Sequence, residues 1–364
     1  MENSNKVLML MSGGVDSSVA AALLKKQGFS IVAVTMKIWA GEYSPGGHSN
    51  HGCYGPEEDD DIEDARRVCE QIGIRHQVVD LTDEYQSTVL DYFNAEYLTG
   101  RTPNPCVRCN LKIKFGALID KAVEQGVGFD YIASGHYAKI QFEPASRRYL
   151  LKKAFDLSKD QSYFLSALSQ KQLQRLVFPL GSMTKMEVRR IATELTLPVA
   201  EKPDSQNFIS GNYCSVIKSN ANPGDIVDKF GTVKGRHAGI QYYTIGQRKG
   251  LGISSAKPVY VTAIDAVNNN VVIGERNDLY HQEFCVTNLN WIAIPTLTAP
   301  MTLNVKIRSS HKEAEAEVTP LDPNTVRVKF IKPQFAVTPG QTSVFYEGDV
   351  VVGGGIIDSV SKNN

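Results

Sequence analysis

Over the first third of the chain, apolar residues come in short blocks that alternate with helical spacings. Lys6 to Met11 leads into a continuous apolar run, Val15 to Gln27 spaces its apolar residues along one helical face and closes at Gly28, and Ile31 to Met36 is apolar again. Strand, helix, strand at these lengths predicts a βαβ unit. After a glycine-rich loop from Gly41 to Gly55, the residues Ile62, Ala65, Cys69 and Ile72 recur at helical spacing, and Gln77 to Asp80 predicts the next strand. The acidic residues Glu57 to Asp61 fall where a helix N-terminal dipole favours negative charge, which predicts a solvated helix start and no site. A helix over Leu111 to Gln125 and a strand over Tyr131 to Ser134 complete the pattern. The fold class expected is α/β, with a doubly wound, mostly parallel sheet whose ligands bind at the carboxyl ends of its strands.

Past about residue 205 the pattern changes. Gly and Pro become frequent, and short alternating segments such as Val259 to Ile264, Val271 to Ile273 and Asn304 to Ile307 stand between turns. Two smaller β-rich domains are expected there. The boundaries fall near 205 and 280, giving a catalytic domain over 1–205, a central β-rich domain over 206–280 and a last domain over 281–364. A chain of 364 residues is too long for one compact core, which agrees with this division.

Charge and cysteine content narrow the chemistry. Thirty-nine basic residues balance thirty-nine acidic ones, so any nucleic-acid contact must come from local patches. The polar start Met1 to Lys6 and the short run Val7 to Met11 lack the length of a signal peptide or a membrane span, so a cytoplasmic protein without membrane contact is expected. Six cysteines are too few for a disulfide scaffold, and only Cys106 and Cys109 form a close pair. Cys69 and Cys285 read as packing residues. His48, His51 and Cys53 lack both the spacing and the fourth ligand of a zinc site, so no zinc is expected.

Directly after the first strand comes Ser12-Gly13-Gly14-Val15-Asp16-Ser17-Ser18, and a helix follows. Glycines let backbone N–H groups approach phosphate oxygens, the serines add hydroxyl donors, and Asp16 is suited to orienting the loop or holding magnesium. The loop has neither the lysine of a Walker motif nor the G-x-G-x-x-G of a dinucleotide fold, which disfavours γ-phosphate transfer and hydride transfer. Further on, Pro103 and Pro105 stiffen the approach to Cys106 and Cys109, and the helix expected after Cys109, together with Arg108, should lower a thiol pKa. Such a thiolate can attack an activated carbon, carry persulfide sulfur or bind a metal. His136 reads as a structural histidine.

The loop resembles that of the ATP pyrophosphatases, and the whole set of S-G-G-V-D-S, P-N-P-x-x-x-C-N, S-G-H-Y, K-D-Q-S-Y-F-L and Y-T-I-G-Q-R-K-G-L-G-I resembles the tRNA-specific 2-thiouridylase family. The resemblance spans nearly the whole chain. It implies an adenine nucleotide alpha hydrolase-like catalytic domain, a central tRNA-binding domain and a C-terminal β-barrel. It also implies a sulfurtransferase that adenylates the 2-carbonyl oxygen of the wobble uridine of Lys, Glu and Gln tRNAs with ATP and magnesium, then replaces AMP by sulfur. ATP would lie on Ser12, Gly13, Gly14, Val15, Asp16, Ser17 and Ser18, with Met36 and Gly135 at its adenine and ribose. Cys109 takes the nucleophile position. Asn104, Pro105 and Cys106 would border the target base, Lys159, Asp160 and Gln161 would touch tRNA, and Gln247, Arg248, Lys249, Arg308 and Ser309 would grip it. A sulfur-donor or relay protein is the further partner implied.

Two departures bear on the sulfur route. The family's second, persulfide-bearing cysteine has no counterpart at the expected offset after Asp204-Ser205-Gln206, where Ile209 stands; the nearest thiol downstream is Cys214, which a loop shift could bring into that catalytic place. Cys106 stands where many members carry Asp. The Cys106–Cys109 pair could then carry sulfur by itself, or the two could ligate an iron–sulfur cluster with Cys214. Both routes stay open at the level of sequence. A relative that thiolates another RNA base and a noncatalytic tRNA-binding relative are the alternative functions.

Overall fold

The computed structural model of the chain describes residues 5–41, 52–204, 207–209, 213–217 and 222–361. Two compact units share it: Met1–Val89, Cys106–Tyr213 and Asp349–Val351 form the first, and Leu90–Pro105, Cys214–Gly348 and Val352–Asn364 the second.

In the first unit, β1 (Lys6–Leu10), β2 (Ser30–Lys37), β4 (Arg75–Asp80), β5 (Tyr131–Ser134) and a short strand Leu176–Val177 form one parallel sheet in the order β4-β2-β1-β5-176/177. A further short strand, β3 (Gly52–Tyr54), lies outside that sheet and pairs in parallel with Asn207–Ile209. The central position of β1 explains its unbroken apolar run, since both of its faces are covered. Leu8 and Met9 are wholly buried, and each contributes about 1.5–3 kcal/mol of transfer free energy. The core continues into Val19, Ala20, Ala21 and Leu24 of helix α1 (Val15–Lys26) and into Ala65, Val68 and Cys69 of helix α2 (Glu58–Ile72). Lys25 and Lys26 close α1 where its dipole favours cations, and α2 ends at Gly73 in the left-handed region, with φ +69°. Chain direction across the sheet reverses between β1 and β5. The loops after these two strands, Ser12–Gly14 and Gly135, therefore flank the crevice in which such sheets take their ligands.

The helix expected over 111–125 differs in two ways. It starts earlier, at Pro105, and its middle is not α-helical: Pro105–Cys109 is α, Asn110–Ala117 is π and Leu118–Glu124 is α again. Pro105 suits a first helical turn because it lacks only an N–H that would have no partner there. The wide π turns are invisible to a reading that assumes one helical period.

In the second unit, Gly224–Asp228, Val233–His237, Tyr260–Asp265 and Asn270–Gly274 form a four-stranded sheet around Ile226, Val261, Val271 and Ile273. Six longer strands, Tyr280–Trp291, Met301–Lys306, Ala314–Asp322, Thr325–Phe335, Thr342–Glu347 and Val350–Val360, close into a barrel through the pairing of the first with the last. Phe284, Val305, Val328, Phe330 and Phe345 fill it. Closure pairs the two outer strands of the six with each other, which is how an antiparallel sheet avoids unwanted pairing.

Candidate functional site

A cleft in the first unit opens on the crevice between β1 and β5. Ser12, Gly14, Val15, Asp16 and Ser17 line it from the loop, Thr35 and Met36 from β2, and Ser134, Gly135 and His136 from the end of β5. Gly14 is the N-cap of α1, so the first backbone N–H groups of that helix face the cleft with the positive end of its dipole. Close packing fixes the two glycines whose side chains are missing. A Cβ on Gly13, whose φ is +67°, would meet the Asp61 carbonyl oxygen at 2.0 Å, and one on Gly135 would stand 2.6 Å from the Ser17 backbone nitrogen. Ser17 and Ser18 donate to the Gly14 carbonyl at 3.2 and 2.8 Å, which tightens the turn. Of the nucleotide residues expected, Ser12, Gly14, Val15, Asp16, Ser17, Met36 and Gly135 reach the cleft; Gly13 and Ser18 shape its wall.

Around the loop lies a cage of paired charges that the sequence did not reveal. Lys185, at the start of the helix Lys185–Glu194, holds both Asp16 and, at 2.7 Å, Asp204. Tyr137 donates to Asp16 at 2.8 Å. Asp204 also receives Lys159 at 2.8 Å and Arg189 at 2.9 Å. Burial pushes the Asp204 carboxyl up, but these cationic partners outweigh it and bring it down to about 2. Lys202, which also lines the cleft, bridges Asp61 and Asp64. The acidic run is a helix start, as expected, with Asp59 and Asp60 exposed in the first turn of α2, but it is not solvated throughout. Glu58 is buried and accepts the backbone N–H groups of Ile38 and Trp39 at 2.8 and 3.0 Å, and both Glu58 and Asp61 line the cleft. Burial raises the Glu58 pKa against those two hydrogen bonds.

The cysteines depart from expectation in their electrostatics. Cys109 ends the α-helical first turn of a longer helix and directly precedes its π stretch, so it does not stand at the helix N-terminus; it is 8% exposed, and Cys106 is half-buried. Burial raises the Cys109 thiol to about 11 and the Cys106 thiol to about 12, so the expected lowering is overturned. Arg108 is not among the charges that act on either thiol; its Nε donates to the Thr88 carbonyl at 2.5 Å. The cation that does favour the thiolates is Lys114, which lines the cleft. Burial alone would lower the Lys114 ammonium pKa; the thiols of Cys109, Cys53 and Cys106 reverse this and raise it. Lys114 is five residues past Cys109, an offset that an α-helix turns to another face and a π-helix returns to the same one.

Cys53, to which the sequence alone assigns no role, is exposed on β3 and lines the same cleft. Its neighbour Tyr54 pairs with Ile209, so the strand carrying Ile209 lies alongside β3. Cys214 sits half-buried in a turn of the second unit. Among the described residues, no group of three or more His, Cys, Asp or Glu is arranged to hold a metal ion. His48 and His51 lie outside the described residues. His136 is held by Ser134 at 2.8 Å and packs against Phe115 and Phe178; burial, then the Lys114 charge, lowers it to about 3, so it stays neutral.

The residues expected to touch RNA are distributed over both units. Besides the pairing of Lys159 with Asp204, Asp160 accepts from Ala154 and Ser162, and Gln161 accepts the Tyr137 backbone N–H at 2.9 Å and lines the cleft. Asn104 and Pro105 belong to the second unit and directly precede Cys106. There too, Arg248 and Lys249 are exposed beside Gly250, Gln247 braces its own loop through Thr244 and Lys249, and half-buried Arg308, followed by half-buried Ser309, donates to Thr338 at 2.7 Å.

Comparison with known proteins covers the chain from end to end. A family model described as the tRNA methyl transferase HUP domain matches residues 5–210, one described as the tRNA methyl transferase PRC-barrel domain matches 215–275, and one described as the aminomethyltransferase beta-barrel domain matches 281–357. The chain is 48% identical over 369 residues to the tRNA-specific 2-thiouridylase MnmA 2 of Thermoanaerobacter sp. (strain X514), with 100% of both chains covered. It is 47% identical over 362 residues to the tRNA-specific 2-thiouridylase MnmA of Acetivibrio thermocellus, covering 98% of this chain and 99% of that one. The MnmA of Endomicrobium trichonymphae is 46% identical over 360 residues, with 98% and 100% covered.

Proposed function

The chain belongs to the tRNA-specific 2-thiouridylase family, and from that premise we propose that it uses ATP to replace the 2-oxygen of a tRNA uridine by sulfur. The observation that carries this reading is one cleft in which a phosphate-binding loop at the switch point of a parallel sheet meets a lysine facing cysteine thiols. A methyl transfer would need neither the loop nor the thiols. The substrate within the class is the wobble uridine of Lys, Glu and Gln tRNAs, and the chain divides near 205 and 280 into a catalytic, a central and a barrel domain.

In the first step the uridine 2-oxygen attacks the α-phosphorus of ATP and pyrophosphate leaves. The helix N-terminus and the Lys185 and Lys202 ammonium groups favour the departing charge, provided that they exchange their carboxylate partners for phosphate oxygens. Magnesium would arrive with the nucleotide phosphates; Asp16 is the loop carboxylate suited to take it up when Lys185 turns to phosphate. In the second step sulfur on Cys109 attacks C2 and AMP leaves. Cys106, three residues before on the same helical turn, is the neighbour able to attack the protein-bound sulfur and release the thiolated base, which leaves a Cys106–Cys109 disulfide for a cellular dithiol to reduce. At pH 7 a thiol with a pKa of about 11 is ionised in roughly one molecule in ten thousand. The resting pair is therefore mostly protonated, and Lys114 is the cation that favours the thiolate needed to take up sulfur. In this reading the two thiols of the pair carry the sulfur themselves, and iron and sulfide assays on anaerobically purified protein separate it from a cluster held by Cys106, Cys109 and Cys214. A sulfur-donor protein is the partner this chemistry requires.

The test is RNA-dependent release of pyrophosphate from ATP, followed by nucleoside mass spectrometry of the tRNA. Pyrophosphate release with loss of 2-thiouridine in a Cys109→Ser variant supports the reading. Wild-type 2-thiouridine levels in cells lacking the gene would refute it.

A further inference from the structure

The buried pair needs a way to receive sulfur from outside. Three thiols of the first unit share the field of Lys114, and they differ in access: Cys53 is exposed, Cys106 half-buried and Cys109 buried. Two contacts hold Cys53 near the other two. Tyr54, its neighbour on β3, stacks on Tyr85 at 5.3 Å and 12°. Arg108, between the two cysteines of the helical turn, donates to the carbonyl of Thr88, in the same helical segment as Tyr85. Both thiol-bearing elements are thus fastened to one support, Thr82–Leu90. The Cys53 charge is felt by Cys106, Cys109 and the Tyr85 hydroxyl alike.

We propose that Cys53 is a sulfur-receiving thiol, which takes a persulfide from the donor at the mouth of the cleft and passes its terminal sulfur inward to the Cys106–Cys109 pair. The inference rests on the sulfurtransferase reading. In the transfer a thiolate of the pair attacks the terminal sulfur of the Cys53 persulfide; the sulfur–sulfur bond to Cys53 breaks, and Cys53 leaves as a thiolate. The proton on the terminal sulfur travels with it, and the sulfane sulfur keeps its oxidation level, so neither oxidant nor reductant is consumed. Lys114 stabilises whichever of the three sulfurs carries the negative charge. Exposure decides the direction: the accessible thiol meets the donor, and burial keeps water and stray thiols from the loaded pair.

The experiment pulses the full-length protein with glutathione persulfide, chases with unlabelled buffer, alkylates and maps the extra sulfur by peptide mass spectrometry. Label that appears first on Cys53 and then on Cys106 or Cys109 supports the relay. In a Cys106→Ser, Cys109→Ser double variant it should stay on Cys53, and in Cys53→Ser and Cys53→Ala the pair should load about tenfold more slowly. Loading of the pair at the wild-type rate in both Cys53 variants, or label on Cys53 that never chases, overturns the proposal. Wild-type pyrophosphate release with tRNA is measured on the same preparation. Its absence would sink the thiouridylase reading, while the sulfur map would still decide the role of Cys53.

Discussion

The Lys185 ammonium lies 2.7 and 2.8 Å from the two carboxylate oxygens of Asp16, 169 residues earlier in the chain. The loop's one negative charge is thus paired with a cation that can turn to phosphate. In Lys185→Met the bare carboxylate would repel the incoming anion, so KM for ATP in the pyrophosphate-release assay should rise roughly tenfold, about 1.4 kcal/mol of binding. An unchanged KM would show that Lys185 only braces the fold.

Gly135→Ala separates binding from folding. The added methyl would press on the Ser17 backbone nitrogen at 2.6 Å, at the first turn of α1. ATP binding by calorimetry should weaken at least about tenfold, while the melting temperature falls no more than for Gly28→Ala, where φ is +87° and the space is open. Equal ATP affinity in the two variants would exclude the close approach as a determinant of the loop.

Lys114→Met should leave Cys109 harder to ionise. Below a pKa of about 11, thiol alkylation rises with pH, and loss of the neighbouring ammonium moves that rise to still higher pH. The iodoacetamide rate of Cys109 at pH 9 should fall severalfold in Lys114→Met and recover in Lys114→Arg. A purely structural lysine would give no such rescue along the pH axis.

Asp204 makes the first unit acid-sensitive. Its folded pKa of about 2 lies below the ordinary 3.8, so its stabilising contribution is complete above about pH 4 and is lost as pH falls through 2. The difference corresponds to about 2 kcal/mol at neutral pH. Thermal melting from pH 5 to pH 2.5 should be less steep in Asp204→Asn than in the parent; parallel curves would mean that other carboxylates carry the acid response.

The parts legible in the sequence are those written in contiguous residues. The heptapeptide Ser12 to Ser18 sits where strand, glycine and helix start coincide, and the run in β1 is apolar because both its faces are covered. What escapes such a reading is made by the fold. Asp16 meets Lys185, and Asp61 meets Lys202, across well over a hundred residues each, so no local spacing announces them. The acidic run looks solvated because periodicity cannot tell that Glu58 caps the backbone at Ile38 and Trp39. The cysteine pKa runs against expectation because the helix starts four residues before Cys109, which replaces a dipole effect by burial. Cys53, in a segment that reads as loop, reaches the cleft only on the strand that carries it there.

The wide-pitched stretch from Asn110 to Ala117 amounts to a one-residue gear between sulfur and ammonium. Held at the common pitch, the same residues would set Lys114 five steps of about 100° on from Cys109, about 140° around the axis, and the ammonium would point away from the sulfur although no functional atom had been altered. Deleting one position between the two would return Lys114 to the fourth place after Cys109 and so to the same α-helical face, so pitch and length in this stretch compensate one another.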